Sequence, residues 1–123
     1  MERRTRQRDA IFAVLKDEDR PMSPHEILAK AQDLVPGLGI ATVYRALKGM
    51  MDEEAIVTVD LPGMVQRYEL NGKHHHHHFL CRLCDRLFEV MGCPGKLNLK
   101  IPRGFRTESH EVILKGICAQ CTA

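Results

Sequence analysis

The chain has 123 residues and a net charge of only +2, enough length for one ordinary domain or two small ones and no excess of either charge. No apolar run approaches the ~20 residues that a membrane-spanning helix needs, which excludes a helical membrane protein and any membrane partner of that kind. The opening Met1-Glu2-Arg3-Arg4-Thr5-Arg6 runs directly into an amphipathic pattern with no signal-peptide core, so a cytoplasmic protein is expected.

In chain order, Thr5 is a suitable N-cap for a first helix that carries Ile11, Phe12, Val14 and Leu15 on its apolar side and ends near Asp17. Pro21 marks the break. Ser23, Pro24 and Glu26 form a capping-box signature for a second helix, with Ile27, Leu28, Ala31 and Leu34 on its apolar side, that stops before Pro36-Gly37. Gly39 precedes a third helix from Ile40 to about Asp52, striped by Val43, Ala46, Leu47 and Met50. Ile56 to Val59 and Val65 to Leu70 then read as two strands joined at Leu61-Pro62-Gly63. Three helices followed by a hairpin is the order of a winged helix-turn-helix, and its third helix is the expected reader. The face of that helix away from the core carries Thr42, Tyr44, Arg45 and Lys48 with no acid among them. An aromatic ring can pack on a thymine methyl, Arg can fork onto guanine or grip phosphate, and Lys can neutralise phosphate. Arg3, Arg4, Arg6 and Arg8 crowd the first eight residues and add to the case for DNA contact.

Beyond Gly72 the composition changes. A run of five histidines, His74 to His78, leads into Cys81-Arg82-Leu83-Cys84, and Cys118-Ala119-Gln120-Cys121 lies near the end. Two close pairs of thiols match a closed tetrahedral site for structural Zn2+, and a count of five cysteines in a reducing compartment favours metal over disulfides. If the histidine run continues a strand, His74, His76 and His78 point one way while His75 and His77 point the other, so one strand offers donors for two different ions. Leu87 to Val90 and Glu111 to Leu114 read as strands, with an irregular Gly92-Cys93-Pro94-Gly95 stretch between them. About 50 residues make a meagre core, and a structural zinc, worth about 10–16 kcal/mol in small peptides, offsets that deficit. The expected organisation is α+β: a winged helix over 1–72 and a small α/β dimerisation domain with a four-cysteine zinc site over 73–123.

These stretches resemble the ferric uptake regulator superfamily of metal-dependent repressors. The resemblance lies in RRTRQRDAI at 3–11, SPHEILAKA at 23–31, GIATVYRAL at 39–47, RYEL at 67–70, HHHHHFLCRLC at 74–84 and GFRTESHEVILKGICAQC at 104–121. It implies a homodimer that binds an AT-rich palindromic operator in double-stranded DNA and is not an enzyme. By position it implies Cys81, Cys84, Cys118 and Cys121 as structural zinc ligands, Tyr44 and Arg45 as base readers, and Arg3, with Arg4 beside it, as a minor-groove or backbone contact. It implies Glu69, His76, His78 and Glu89 as the regulatory metal site at the hinge, and His75, His77 and His110 as part of a second site.

Three departures stand out. Pro21 falls where many members supply a hinge histidine, and His25, one turn on, is the candidate replacement. The second site's usual carboxylate falls near Lys96, with Cys93 three residues earlier as a possible thiolate donor. The stretch from Glu89 to Gly104 is also shorter than the fuller helix of many members. Histidines with carboxylates suit Fe2+ or Zn2+, with Mn2+ or Ni2+ behind them, and affinity order alone does not choose. The peroxide-sensing branch typically carries Asp at the position of Glu89. A metal-storage protein or metallochaperone using the histidine run is the alternative from another class; it leaves Tyr44, Arg45 and Lys48 without a role.

Overall fold

The computed structural model describes residues 3–92 and 99–122, with only the backbone described at Arg3 and Arg4. It divides into two compact units, residues 1–73 and 74–123. In the first, α1 (Arg3–Glu18), α2 (Pro24–Ala31) and α3 (Ile40–Asp52) are followed by the antiparallel hairpin β1 (Ile56–Val59) and β2 (Arg67–Leu70). The three helices and hairpin form the winged helix. Ile11, Leu15, Met22, Ile27, Val43, Leu47 and Met50 are buried together at its centre, so the 3.6-residue stripes of all three helices converge on one core. Met22, between α1 and α2, exchanges backbone hydrogen bonds with Tyr68 at 2.9 and 2.8 Å and ties the first inter-helix loop to the wing.

Local chemistry accounts for the boundaries. The Ser23 side chain accepts from the Glu26 amide at 3.2 Å, the Glu26 carboxylate accepts from the Ser23 amide at 3.1 Å, and Pro24 occupies the first turn. The buried Arg20 guanidinium lies 2.9 Å from Glu26 and 3.2 Å from Glu18, holding the end of α1 to the start of α2. Pro62 and Gly63, the latter at φ 74°, turn the wing, with the Met64 amide donating to the Leu61 carbonyl at 3.1 Å.

Four expected boundaries move. Helix α1 begins at Arg3, so Thr5 lies inside it and is not its cap; consecutive arginines are good helix formers and extend the helix past it. Helix α2 ends at Ala31. The amides of Leu34 and Val35 both turn back to the Ala31 carbonyl, which exposes Leu34 and buries Val35 in its place. Strand β2 starts at Arg67 and leaves Val65 exposed, because pairing with β1 runs out at Val59. The last strand is shifted by two residues, for reasons of register given next.

The second unit contains β3 (His77–Cys81), β4 (Leu87–Val90), β5 (Ile113–Gly116) and a single turn of helix, α4 (Ala119–Thr122). Strand β3 is central, antiparallel to β4 and parallel to β5. Its partnership sets His78 opposite Ile113 and Cys81 opposite Gly116, so the strand begins at Ile113 and not at Glu111. Only His77 and His78 of the histidine run belong to β3, with His74 to His76 approaching it. Gly116 packs tightly against Phe79: a Cβ there would lie 3.0 Å from the ring, which would have to shift to admit it. The Gly92-Cys93-Pro94-Gly95 stretch lies, after Gly92, outside the described residues.

Leu47 is almost wholly buried at the centre of the three-helix core. Leu47→Ala is expected to cost about 2–5 kcal/mol through lost transfer energy and a residual cavity. Ser23→Ala is expected to cost about 1 kcal/mol through the cap. Denaturant midpoints of the two variants check both, and equal midpoints would contradict the order.

Candidate metal centres and nucleic-acid interface

On α3, the spacing that buries Val43, Leu47 and Met50 turns Tyr44, Arg45 and Lys48 outward. Tyr44 is about half exposed, at 47 %. Arg45 donates to the Thr42 hydroxyl at 3.1 Å, one turn back on the same face. Arg8 of α1 forks onto Glu53, just past the end of α3, with N–O distances of 2.7 and 2.6 Å. This long-range pair has no local sequence signal, and it ties α1 to the end of α3. Gln7, Arg8, Thr42, Arg45, Gly49 and Glu53 line the groove between them. The side chains of Arg3 and Arg4 lie outside the described residues. His25 is exposed near the start of α2 in the first unit.

The four cysteines converge. Their sulfur atoms lie within 4.8 Å of one another, with Cys84 Sγ 3.8 Å from Cys118 Sγ. Strand β3 delivers Cys81, and a tight turn with Asp85 in left-handed geometry (φ 60°) returns the chain to β4 and presents Cys84. The parallel strand β5 delivers Cys118, and the helical turn α4 folds Cys121 back beside it. Burial opposes ionisation of Cys81, but the amides of Cys118, Cys84 and Leu83 all favour its thiolate and bring it down to about 6. Cys121 goes the other way, pushed up to about 12 by hydrogen bonding with Cys118 and by burial. Cys84 is also raised: the Arg86 amide favours its thiolate, but burial and the adjacent sulfurs outweigh it. Four clustered sulfurs without a cation thus hold protons among them, and a divalent soft ion is the charge that lets all four ionise. Donor type, number and convergence fit a closed zinc site.

The histidines sort into two groups by face. His75, His77 and His110 bring ring nitrogens within 4.8 Å of one another. The His75–His77 centroids are 4.6 Å apart, and His110 lies 5.2 Å from each. His77 is buried, and burial followed by the neighbouring imidazoles pushes its proton affinity down, which keeps it a neutral ligand. Its Nδ1 accepts from the Val112 amide at 3.1 Å. On the other face, the His76 and His78 centroids are 4.9 Å apart, and His76 Nε2 lies 3.7 Å from the Glu89 carboxylate. His76 Nδ1 sits 2.7 Å from the His74 carbonyl, a bond that places its proton on Nδ1 and directs Nε2 toward Glu89. His78 faces Glu89 across the β3–β4 pairing. Two imidazoles and a carboxylate fit a borderline divalent ion such as Fe2+ or Zn2+. Glu69 lies on β2 in the first unit. Cys93 and Lys96 lie outside the described residues. Two carboxylates that sequence reasoning passed over, Glu108 and Glu111, line the same cleft as His75, His76 and His110.

A winged helix joined to a sheet unit bearing a four-cysteine cluster and two nitrogen-rich clusters defines a class of metal-linked DNA-binding regulators. The profile of the Ferric uptake regulator family matches residues 2–115, and the chain belongs to that family. It is 29 % identical over 123 residues to the ferric uptake regulation protein of Campylobacter jejuni, covering 95 % of this chain and 78 % of that protein. Among solved structures it is similar to FurB of M. tuberculosis, described as a zinc uptake regulator, at 31 % identity and TM-score 0.54, covering 97 % of this chain and 95 % of that one. A zinc-bound manganese uptake regulator superposes at TM-score 0.74 over 95 % of this chain and 91 % of its own, and at 24 % identity it speaks for the fold alone. The family consists of DNA-binding, metal-binding transcriptional regulators.

Filling the four-cysteine cluster with zinc at neutral pH is expected to release protons, because Cys84 and Cys121 stand above their ordinary value without metal and must ionise to bind it. Affinity for zinc should therefore fall as pH falls, since each step down adds competing protons. Zinc titration in two buffers of different ionisation enthalpy measures the release, and a heat independent of buffer would contradict it.

Proposed function

We propose that this chain is a metal-responsive transcriptional repressor that controls metal-uptake genes, of the iron or zinc type. One observation carries the reading: Thr42 and the exposed Tyr44, Arg45 and Lys48 occupy one unit, while a four-cysteine cluster and two histidine-rich clusters lie in the other. A storage protein would have no use for the first set.

In this reading residues 1–72 bind DNA and residues 73–123 bind metal and dimerise. Tyr44 and Arg45 read base edges in the major groove, Thr42 orients Arg45, and Lys48, Arg3 and Arg4 hold backbone or minor groove. Cys81, Cys84, Cys118 and Cys121 hold a structural Zn2+. Exposed Ile101, Phe105 and Leu114 in the second unit supply apolar surface for a homodimer. Two recognition helices set by a two-fold axis then match a palindromic operator in duplex DNA, AT-rich as in the family.

His76, His78 and Glu89 of the second unit and Glu69 of the first are the proposed regulatory ligands, with Fe2+ or Zn2+ ahead of Mn2+ or Ni2+. A bound divalent ion supplies one attachment point common to both units. Glu69 follows the reading helix in the same unit, so its capture restricts the orientations that the reading heads sample. Restriction toward the DNA-competent arrangement shifts the population, and DNA must tighten metal binding by the same factor. His25 belongs to the first unit and replaces the hinge histidine that Pro21 displaces. His75, His77 and His110 form a second, separate metal site, for which Cys93 is the thiolate candidate in the sequence.

The test is fluorescence anisotropy with a duplex selected from a random pool by the wild-type protein. Arg45→Ala is expected to cost about 1–3 kcal/mol and to relax base preference, whereas Lys48→Ala should weaken all sequences alike and reduce the salt slope by about one. His76→Ala should abolish the response to added Fe2+ or Zn2+ while one zinc per chain and the dimer persist; His25→Ala should weaken the same response. If Tyr44→Ala and Arg45→Ala both bind the selected duplex like wild type, α3 is not the reader. Equal DNA affinity with and without added metal would remove the regulatory reading.

A further inference from the structure

The cluster of His75, His77 and His110 is three-sided. Three neutral imidazoles fill three positions around a divalent ion and leave at least one open, and they bring no charge to balance the ion. Two of the three, His75 and His110, also line a cleft of about 710 Å³ together with His76, Glu108, Ser109 and Glu111. Both carboxylates come from the segment that runs into β5, and neither belongs to the ligand sets proposed above.

We propose that Glu108 supplies the fourth, anionic ligand of this cluster, so that the metal is held between the histidine run and the segment leading into β5. This rests on the reading of His75, His77 and His110 as a metal site. Residues 105–112 contain no helical turn, and Val112 is pinned to β3 by its amide on His77 and by its carbonyl, which accepts from the His78 amide at 3.2 Å. In a non-helical segment approaching a strand, side chains two apart share a face and adjacent ones do not. Glu108 is two residues before His110, whereas Glu111 is its immediate neighbour. That spacing is what favours Glu108 over Glu111, which lines the same cleft. A single Glu–x–His pair then provides both the charge and the third imidazole, and it ties metal occupancy to the β5 strand that also delivers Cys118 and Cys121.

The experiment uses full-length protein carrying one zinc per chain, in a His78→Ala/Glu89→Ala background that disables the other nitrogen-rich cluster, titrated with Co2+ alone. Visible absorption reports coordination number and donor type, and competition with a chelator reports affinity. Glu108→Gln is expected to weaken Co2+ at least tenfold, no less than the ~10–100-fold that loss of an outer-sphere partner costs, and to change the ligand-field bands. Glu111→Gln is expected to leave both unaltered, and circular dichroism of each variant guards against misfolding. Unchanged affinity and bands in Glu108→Gln overturn the proposal, as does an equal loss in Glu111→Gln. A sulfur-to-cobalt charge-transfer band that vanishes in Cys93→Ser assigns the fourth position to that thiolate and overturns it as well. If the background protein takes up no Co2+ at all, or the same amount after His110→Ala, the three-histidine reading itself is what fails.

Discussion

The parallel pairing of β5 with β3 is the constraint on which the second unit depends. One register, with His78 opposite Ile113 and Cys81 opposite Gly116, does two things at once. At its end it carries Cys118 to Cys81, and at its start it brings His110 to His75 and His77. Parallel strands need a long connection, and here 22 residues, 91–112, separate β4 from β5. Closing such a loop costs entropy that a four-residue strand pair does little to offset. A metal held by the four cysteines would therefore lock the register, because sulfurs from two strands and two turns meet only when the strands are paired. A slip of one residue would move Cys118 off Cys81 and turn the donors to the wrong face.

Strand β3 and its approach carry donors on both faces. His76 and His78 meet Glu89 on one side, while His75 and His77 meet His110 on the other. Alternation would allow the four consecutive residues His75 to His78 to serve two ions without sharing a ligand. It also makes the two sites mechanically adjacent. His77 Nδ1 accepts the Val112 amide, which requires the ring proton on Nε2. Ligation through either ring nitrogen displaces that arrangement: a metal on Nδ1 replaces the amide, and a metal on Nε2 sends the proton to Nδ1. Occupancy at His77 would thus act on Val112, the residue just before the β3–β5 ladder, whose carbonyl accepts from the His78 amide.

Much of this was legible because local chemistry and global packing agree. The capping box at Ser23 and Glu26, the buried stripe of α3 and the Pro62-Gly63 turn each state one structure, and the structure follows them. The failures share a cause. Leu34 reads as the next helical position but is exposed, because a turn after Ala31 brings Val35 inward in its stead. Ile113 to Gly116 replaces Glu111 to Leu114 as the last strand because β3 determines the register, and no local pattern reports a parallel partner more than thirty residues away. The same blindness hid Glu53 as the partner of Arg8, 45 residues distant. The histidine run gave its alternation correctly even though only two of its members lie within the strand. Face alternation requires extended backbone, not a ladder partner.

The Arg8–Glu53 pair shows how affinity and geometry divide in the first unit. An exposed ion pair contributes little stability, although a bidentate fork loses less side-chain freedom for each bond made. Its value lies in where it acts. One partner belongs to α1 and the other follows the end of α3, so the pair ties the arginine-rich helix to the end of the proposed reading helix. In the proposed complex, a DNA phosphate approaching α1 would have to compete with the Glu53 carboxylate for the Arg8 guanidinium. The cost of opening the pair is common to specific and non-specific complexes, so it would lower affinity for both by the same factor and leave base discrimination to the groups that touch base edges.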